Sequence, residues 1–221
     1  MNRANCNKSI FLLCILFFST SLSAQAPLQF NKEGKFKIVQ FTDVHYKYGN
    51  PASVIALERI NEVLDTEKPD LVVFTGDVVF SSPADTGMVE VLSQVSNRKI
   101  PFVLTFGNHD DEHNLSRLQL YNVIKSVPYN LMPEQYTSDF VLSIRSADGH
   151  KNAGLIYCMD SYAYAQLKEI GGYGWFNFEK ANWYSAESAG YASSNNGEPL
   201  PALPFFHIPL TEDNDGFTDN N

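Results

Sequence analysis

Cysteine is scarce in this chain: three in 221 residues, two of them (Cys6 and Cys14) near the N-terminus. That excludes a disulfide framework. Cys158 lies in the apolar stretch Leu155-Ile156-Tyr157-Cys158-Met159, where a buried structural thiol is expected. Positive charge is also short, with 16 basic residues against 25 acidic ones and a formal charge of -9. A nucleic-acid polymer is therefore not an expected partner, since its binders carry a basic footprint. No apolar run reaches the ~20 residues of a membrane-spanning helix. There is no Gly-x-Ser-x-Gly elbow and no P-loop, which argues against a serine hydrolase and a P-loop nucleotide binder. What remains, 44% hydrophobic and 19% charged residues, is ordinary for a globular chain. The length suits one large domain, or at most two small ones.

The N-terminus predicts export. Arg3 and Lys8 precede an apolar run from Ile10 to Phe18, followed by serines and Ala24-Gln25-Ala26. Short positive region, short apolar core and small residues describe a signal peptide over residues 1–24. Cleavage after Ala26 would place Pro27 beside the scissile bond, so Ala24 is the expected site. Leu13 before Cys14 disfavours a lipoprotein. Losing Arg3 and Lys8 moves the formal charge to -11 and leaves Cys158 as the only thiol. The expectation is a secreted or periplasmic chain with no transmembrane anchor after cleavage. A domain over residues 25–210 and a disordered acidic tail over 211–221 follow; the tail holds Glu212, Asp213, Asp215 and Asp219 and little apolar content.

Between these ends, strands alternate with helices. Strands are expected at 36–41, 71–74 and 101–106, and helices at 51–67, 86–97 and 116–126. In the first helix Val54, Leu57, Ile60, Val63 and Leu64 fall on one face; in the second Met88, Val91, Leu92 and Val95 do. A β-α-β-α-β-α order predicts an α/β fold with a mostly parallel sheet. Adjacent strands are expected at 140–144 and 154–159 around an Asp148-Gly149 turn. A Gly- and aromatic-rich loop follows at 171–176, then a helix near 179–189 and a last strand at 205–208.

Polar clusters sit where strands end: Asp43-Val44-His45, Gly76-Asp77, Gly107-Asn108-His109-Asp110 and His207. The loops beyond the carboxyl ends of parallel strands share one crevice. Asp43 and Asp77 are 34 residues apart, and Asp77 and Asn108 are 31 apart, one βαβ step each. Carboxylate, imidazole and amide oxygen suit hard or borderline divalent metals. Strand alternation can point Asp43 and His45 the same way. Asp77, on the middle of these strands, is the natural bridge between two ions, which would lie roughly 3.5–4 Å apart.

Together these motifs resemble the first four of the calcineurin-like metallophosphoesterases, over roughly residues 35–210. The strings Phe41-Thr42-Asp43-Val44-His45-Tyr46, Gly107-Asn108-His109-Asp110-Asp111-Glu112 and Pro201 to Leu210 are most similar to the purple-acid-phosphatase-like branch. The resemblance implies a metallophosphoesterase-type β-sandwich with flanking helices and a dinuclear centre. By it, Asp43 and His45 hold one metal, Asp77 bridges, and Asn108 and His207 hold the other. His109 is then the outer-sphere acid, positioned by Asp110. The cofactors implied are two divalent or mixed-valence ions of Fe, Mn or Zn.

Two departures accompany the likeness. Phe80 stands where a purple acid phosphatase places its metal-bound tyrosine, so no tyrosinate-to-iron colour is expected. The family's closing Gly-His-x-His motif is absent, which reads as a C-terminally incomplete domain. The expected function is a secreted metal-dependent phosphoesterase acting on a small-molecule phosphoester. The alternatives are a truncated, weakly active or inactive remnant and a non-catalytic phosphate- or metal-binding module. Tyr46, Tyr48, Tyr173, Trp175 and Trp183 offer stacking surfaces, although packing is the stronger expectation for them.

Overall fold

Leu71 to Thr75 is a short apolar run, and in the computed structural model it is a strand with every residue buried. The structure describes residues 26–165, 167, 169 and 171–210. The signal peptide and the acidic tail expected from the sequence lie outside the described residues. The buried run, β2 (Leu71–Thr75), lies between β1 (Ile38–Phe41) and β3 (Phe102–Thr105) in a parallel sheet. Crossover helices α1 (Val54–Glu67) and α2 (Ala84–Ser96) connect them, and α3 (Arg117–Ser126) follows. All these elements fall within a few residues of their expected places.

The helices are set by periodicity and capping. In α2, Met88, Val91, Leu92 and Val95 are all buried as their spacing predicts. In α1, Leu57, Ile60 and Leu64 are buried, but Val54 is exposed. The reason is local: Pro51–Ser53 forms a 3-10 turn capped by Asn50, so the α-helical face starts later than the hydrophobic pattern suggests. A reciprocal capping box between Ser116 and Gln119 starts α3.

The second half forms another three-stranded sheet. Strands β4 (Phe140–Arg145) and β5 (Asn152–Cys158) are antiparallel, and β6 (Ala202–Phe205) runs parallel to β5. Side chains alternate along β5. Ile156 and Cys158 enter the main core with β1–β3, whereas Leu155, Tyr157 and the following Met159 pack with Trp183 and Tyr191. That alternation makes a two-sheet sandwich with a second, smaller core on its outer side. Cys158 is fully buried, and burial pushes its thiol pKa up, as a structural cysteine requires.

Two expectations are corrected here. The last helix, α4 (Phe178–Ser194), runs past the expected stop near Gly190, because Tyr191 packs against the outer core and outweighs glycine's poor helix propensity. The last strand is Ala202–Phe205 rather than 205–208, so His207 lies beyond its end. Pro204 takes part in β6, which has only β5 as a partner among the described residues, so its missing N–H leaves no ladder gap.

Candidate metal centre

Past Phe41 the chain leaves the sheet instead of continuing as a strand. Asp43 and His45 both adopt left-handed backbone, with φ of 54° and 46°. Strand alternation therefore does not aim them; two departures from the extended state, one on each side of Val44, do. Backbone bonds hold the excursion, from Asp43 N–H to Gly76 O (3.2 Å) and from His45 N–H to Asp77 O (2.8 Å). Asp77 is itself left-handed at φ 54°. Non-glycine residues in this region are uncommon and are found where surrounding structure over-determines them.

Two glycines permit the approach. A Cβ on Gly76 would lie 2.5 Å from Gly107 N, and one on Gly107 would lie 2.1 Å from Asp77 Oδ1. The loops after β2 and β3 thus meet backbone to backbone. Asp110 locks them together: its buried carboxylate accepts from Gly107 N (2.9 Å), Asp77 N (2.9 Å), Val78 N (2.8 Å) and Val79 N (3.2 Å). Burial, with the nearby Asp77 charge, pushes the Asp110 carboxyl above the ordinary carboxylate range, and the backbone donors offset this only in part. Both oxygens are thereby occupied as acceptors by backbone N–H groups of two loops.

The side chains converge on Asp77. Its Oδ2 is 3.2 Å from His45 Nε2 and 3.3 Å from His207 Nε2, and its Oδ1 accepts from His109 N at 2.8 Å. His207 is anchored by Thr75 O at Nδ1 (2.8 Å), and its Nε2 also meets Asn108 Oδ1 (3.2 Å). Burial opposes charge on both Asp77 and His207, but their contact prevails. Asp77 is held below the ordinary carboxylate range, and His207 is raised above the ordinary histidine value.

All the sequence-predicted site residues meet here, with a different partition. Donor atoms of Asp43, Asp77 and His207 lie within 4.8 Å of one another, as do those of His45, Asp77 and His109. The resemblance pairs Asp43 with His45 instead. Asp110 makes none of the contacts expected of a His109 positioner; its oxygens are taken by backbone. The group on His109 is Glu112, whose Oε2 is 2.6 Å from Nδ1. Tyr164 links Glu112 Oε1 (2.5 Å) to Asn108 Nδ2 (3.2 Å). Arg117 ties the β3 loop to the second sheet through Gly107 O (2.7 Å), Asp111 (3.4 Å) and Asp160. Sequence reasoning gave Glu112, Tyr164 and Arg117 no role. Glu112 sits three residues after His109 and was within reach of local spacing; Tyr164 carries no such signal.

Phe80 packs by its edges against His45, His109 and His113, at centroid distances of 5.9, 5.0 and 5.0 Å. It confines the imidazoles without offering a donor. Tyr46 is buried and bonds Glu90, and Trp183 packs on Tyr157, so both serve packing; Tyr48, Tyr173 and Trp175 are exposed.

Carboxylate and imidazole donors gather around one shared aspartate at the carboxyl ends of parallel strands, a set that could hold divalent cations. The chain belongs to the calcineurin-like phosphoesterase family, whose profile matches residues 36–221. It is similar to phosphatase DCR2 of Saccharomyces cerevisiae, 32% identical over 84% of this chain and 36% of that protein. It is also similar to probable inactive purple acid phosphatase 29 of Arabidopsis thaliana, 30% identical over 92% of this chain and 62% of that one. The chain thus spans between about a third and three-fifths of the length of these curated relatives. The fold resembles that of a dimetal phosphatase from Danio rerio, with a TM-score of 0.54 and 13% identity over 83% of this chain and 76% of that structure.

Proposed function

We propose that the chain is a secreted, metal-dependent phosphoesterase acting on small-molecule phosphate esters. The observation that carries this reading is Asp77 Oδ2, placed between His45 Nε2 and His207 Nε2 at 3.2 and 3.3 Å. One carboxylate oxygen between two imidazoles from distant segments is a donor set suited to divalent cations. Asp43, His45, Asp77, Asn108 and His207 would hold them, with Fe, Mn or Zn as the candidate ions. Two bound cations supply Lewis-acid stabilisation of the phosphoryl oxygens and an activated water nucleophile. The residues supply the rest. Asp77 keeps the two halves of the centre in register. His109, beside Asp77, delivers a proton to the leaving oxygen. Phe80 packs edgewise beside the His45 and His109 rings and limits their movement. Monoesters, diesters and pyrophosphates are all compatible with this centre.

The test is metal analysis and turnover of a generic phosphomonoester. Asp77→Asn should remove metal and lower turnover by at least ~10²-fold, the scale for key catalytic groups. His109→Ala should keep metal and lose about 10²–10⁴-fold, the range for a general acid. Normal metal content with more than about a tenth of the activity in Asp77→Asn would overturn the bridge. Loss of metal in His109→Ala would make that residue a ligand, as its proximity to His45 and Asp77 allows. Export is tested by whether an export-competent host releases the chain with its N-terminus cut after Ala24.

A second reading is a metal- or phosphate-binding module with little turnover. Its support is that relatives from Arabidopsis thaliana carry "inactive" in their names. Tight metal or phosphate binding without turnover would select it.

A further inference from the structure

Four polar side chains beside the centre form an unbroken chain. Asn108 Nδ2 donates to the Tyr164 hydroxyl (3.2 Å), that hydroxyl donates to Glu112 Oε1 (2.5 Å), and Glu112 Oε2 meets His109 Nδ1 (2.6 Å). We infer that Tyr164 and Glu112 are positioning residues: Glu112 fixes the tautomer of His109, and Tyr164 fixes the face of the Asn108 amide. The inference rests on the phosphoesterase reading above and adds the unit that orients its acid and one of its ligands.

Donor and acceptor counts carry the argument. An ionised carboxylate only accepts, so His109 must present Nδ1–H to Glu112. That leaves Nε2 as the nitrogen that can face a leaving oxygen. The tyrosine hydroxyl has a single proton, and Glu112 takes it, so towards Asn108 it can only accept. Asn108 must then present its NH2 to Tyr164. Its Oδ1 is thereby turned to the other side, where it lies 3.2 Å from His207 Nε2, among the candidate ligands. A flipped amide would set oxygen against a hydroxyl with no proton to give. Tyr164 is held at its post by a nearly parallel ring contact with Tyr173 (6.2 Å, 17°) and an antiparallel bridge to the same residue.

Stability does not explain the arrangement. Glu112 and His109 are each about a third exposed at the side chain, where an ion pair adds little to stability. In the reaction, the bond from phosphorus to the leaving oxygen breaks as one to the water oxygen forms. His109 reacts as the imidazolium: Nε2 gives its proton to the leaving oxygen, and the ring falls back to the neutral Nδ1–H tautomer that Glu112 holds. The water's displaced proton goes to solvent, and Nε2 is reprotonated from there.

The test uses the full chain with imidazole nitrogen NMR, His109 being assigned by the signal missing in His109→Ala. A proton fixed on Nδ1 is expected in the wild type, and exchange between both nitrogens in Glu112→Ala. Glu112→Gln, which keeps an oxygen acceptor, should restore the wild-type pattern. Mn2+ titration of Tyr164→Phe should show affinity about 10-fold weaker, within the ~10–100-fold usual for a lost outer partner. With turnover, Glu112→Ala should slow an alkyl phosphate about 10–100-fold in kcat, with little change in KM, and a 4-nitrophenyl phosphate much less. An unchanged His109 tautomer in Glu112→Ala, unchanged Mn2+ affinity in Tyr164→Phe, or equal losses on both esters would overturn the assignment. The tautomer and Mn2+ readouts decide it even if the phosphoesterase reading fails on turnover.

Discussion

In the parallel layer β2 buries all five of its residues, whereas in the second sheet β6 buries none. The helices differ in the same way. Seven residues of α2 are buried, but in α4 the buried residue is a lysine, Lys180, joined to Asp139. The first layer is held by a broad apolar interface to which many residues contribute. The outer side of the second depends on a few polar ties and on a small cluster of Leu155, Tyr157 and Met159. A hydrophobic layer tolerates small losses because they are spread out. A polar tie concentrates them, because removing one partner strands the other.

Four substitutions would break or sharpen this contrast. The largest effect is expected at the seam. Asp110→Ala orphans four buried N–H groups at ~1–3 kcal/mol each, so the chain should lose at least about 4 kcal/mol or fail to fold. Denaturant titration reads it, and a loss under about 2 kcal/mol would show that water replaces the carboxylate. Next is Lys180→Met, which leaves Asp139 the Asp160 N–H and the Ser138 hydroxyl but no counter-charge, and should cost about 3 kcal/mol, the low end for a broken buried pair. Hydrogen exchange should show α4 losing protection while α2 keeps it; uniform loss would mean the two layers unfold as one. Leu92→Ala, in the fully buried face of α2, should cost about 2–5 kcal/mol by cavity formation, shared across the whole parallel layer. Smallest is Leu203→Ala on exposed β6, expected within about 0.5 kcal/mol. A larger loss there would reveal packing that its exposure does not.

The same contrast explains what the sequence made legible. The parallel layer could be read in advance because Met88, Val91, Leu92 and Val95 repeat at helical spacing and Leu71 to Phe74 is uniformly apolar. The meeting of Asp43, Asp77, Asn108 and His207 was readable because loops at successive strand ends share one crevice. Reading failed where local pattern and tertiary contact disagree. The left-handed turns at Asp43 and His45 leave no mark on composition, and they re-aim both side chains. The resemblance gave Asp110 the positioning of His109, but backbone donors from two loops claim its oxygens. The last helix was expected over 179–189, but Tyr191 packs on the outer cluster and the helix runs to Ser194. Tyr164, 56 residues from Asn108 and 52 from Glu112, was beyond any local pattern.

The bond from His207 to Thr75 O joins residues 132 apart in the chain. On a ribosome this separation becomes a delay. At ~5–20 residues per second, His207 is made roughly 7–26 s after Thr75. In the later part of that interval, once β3 and its loop are made, the nascent parallel layer can present Asp43, His45, Asp77 and Asn108, a half-built cluster with its carboxylates unbalanced by the last imidazole. Cation capture during synthesis would therefore be provisional, and the order in which the chain emerges, as much as the finished geometry, would govern which ion is retained.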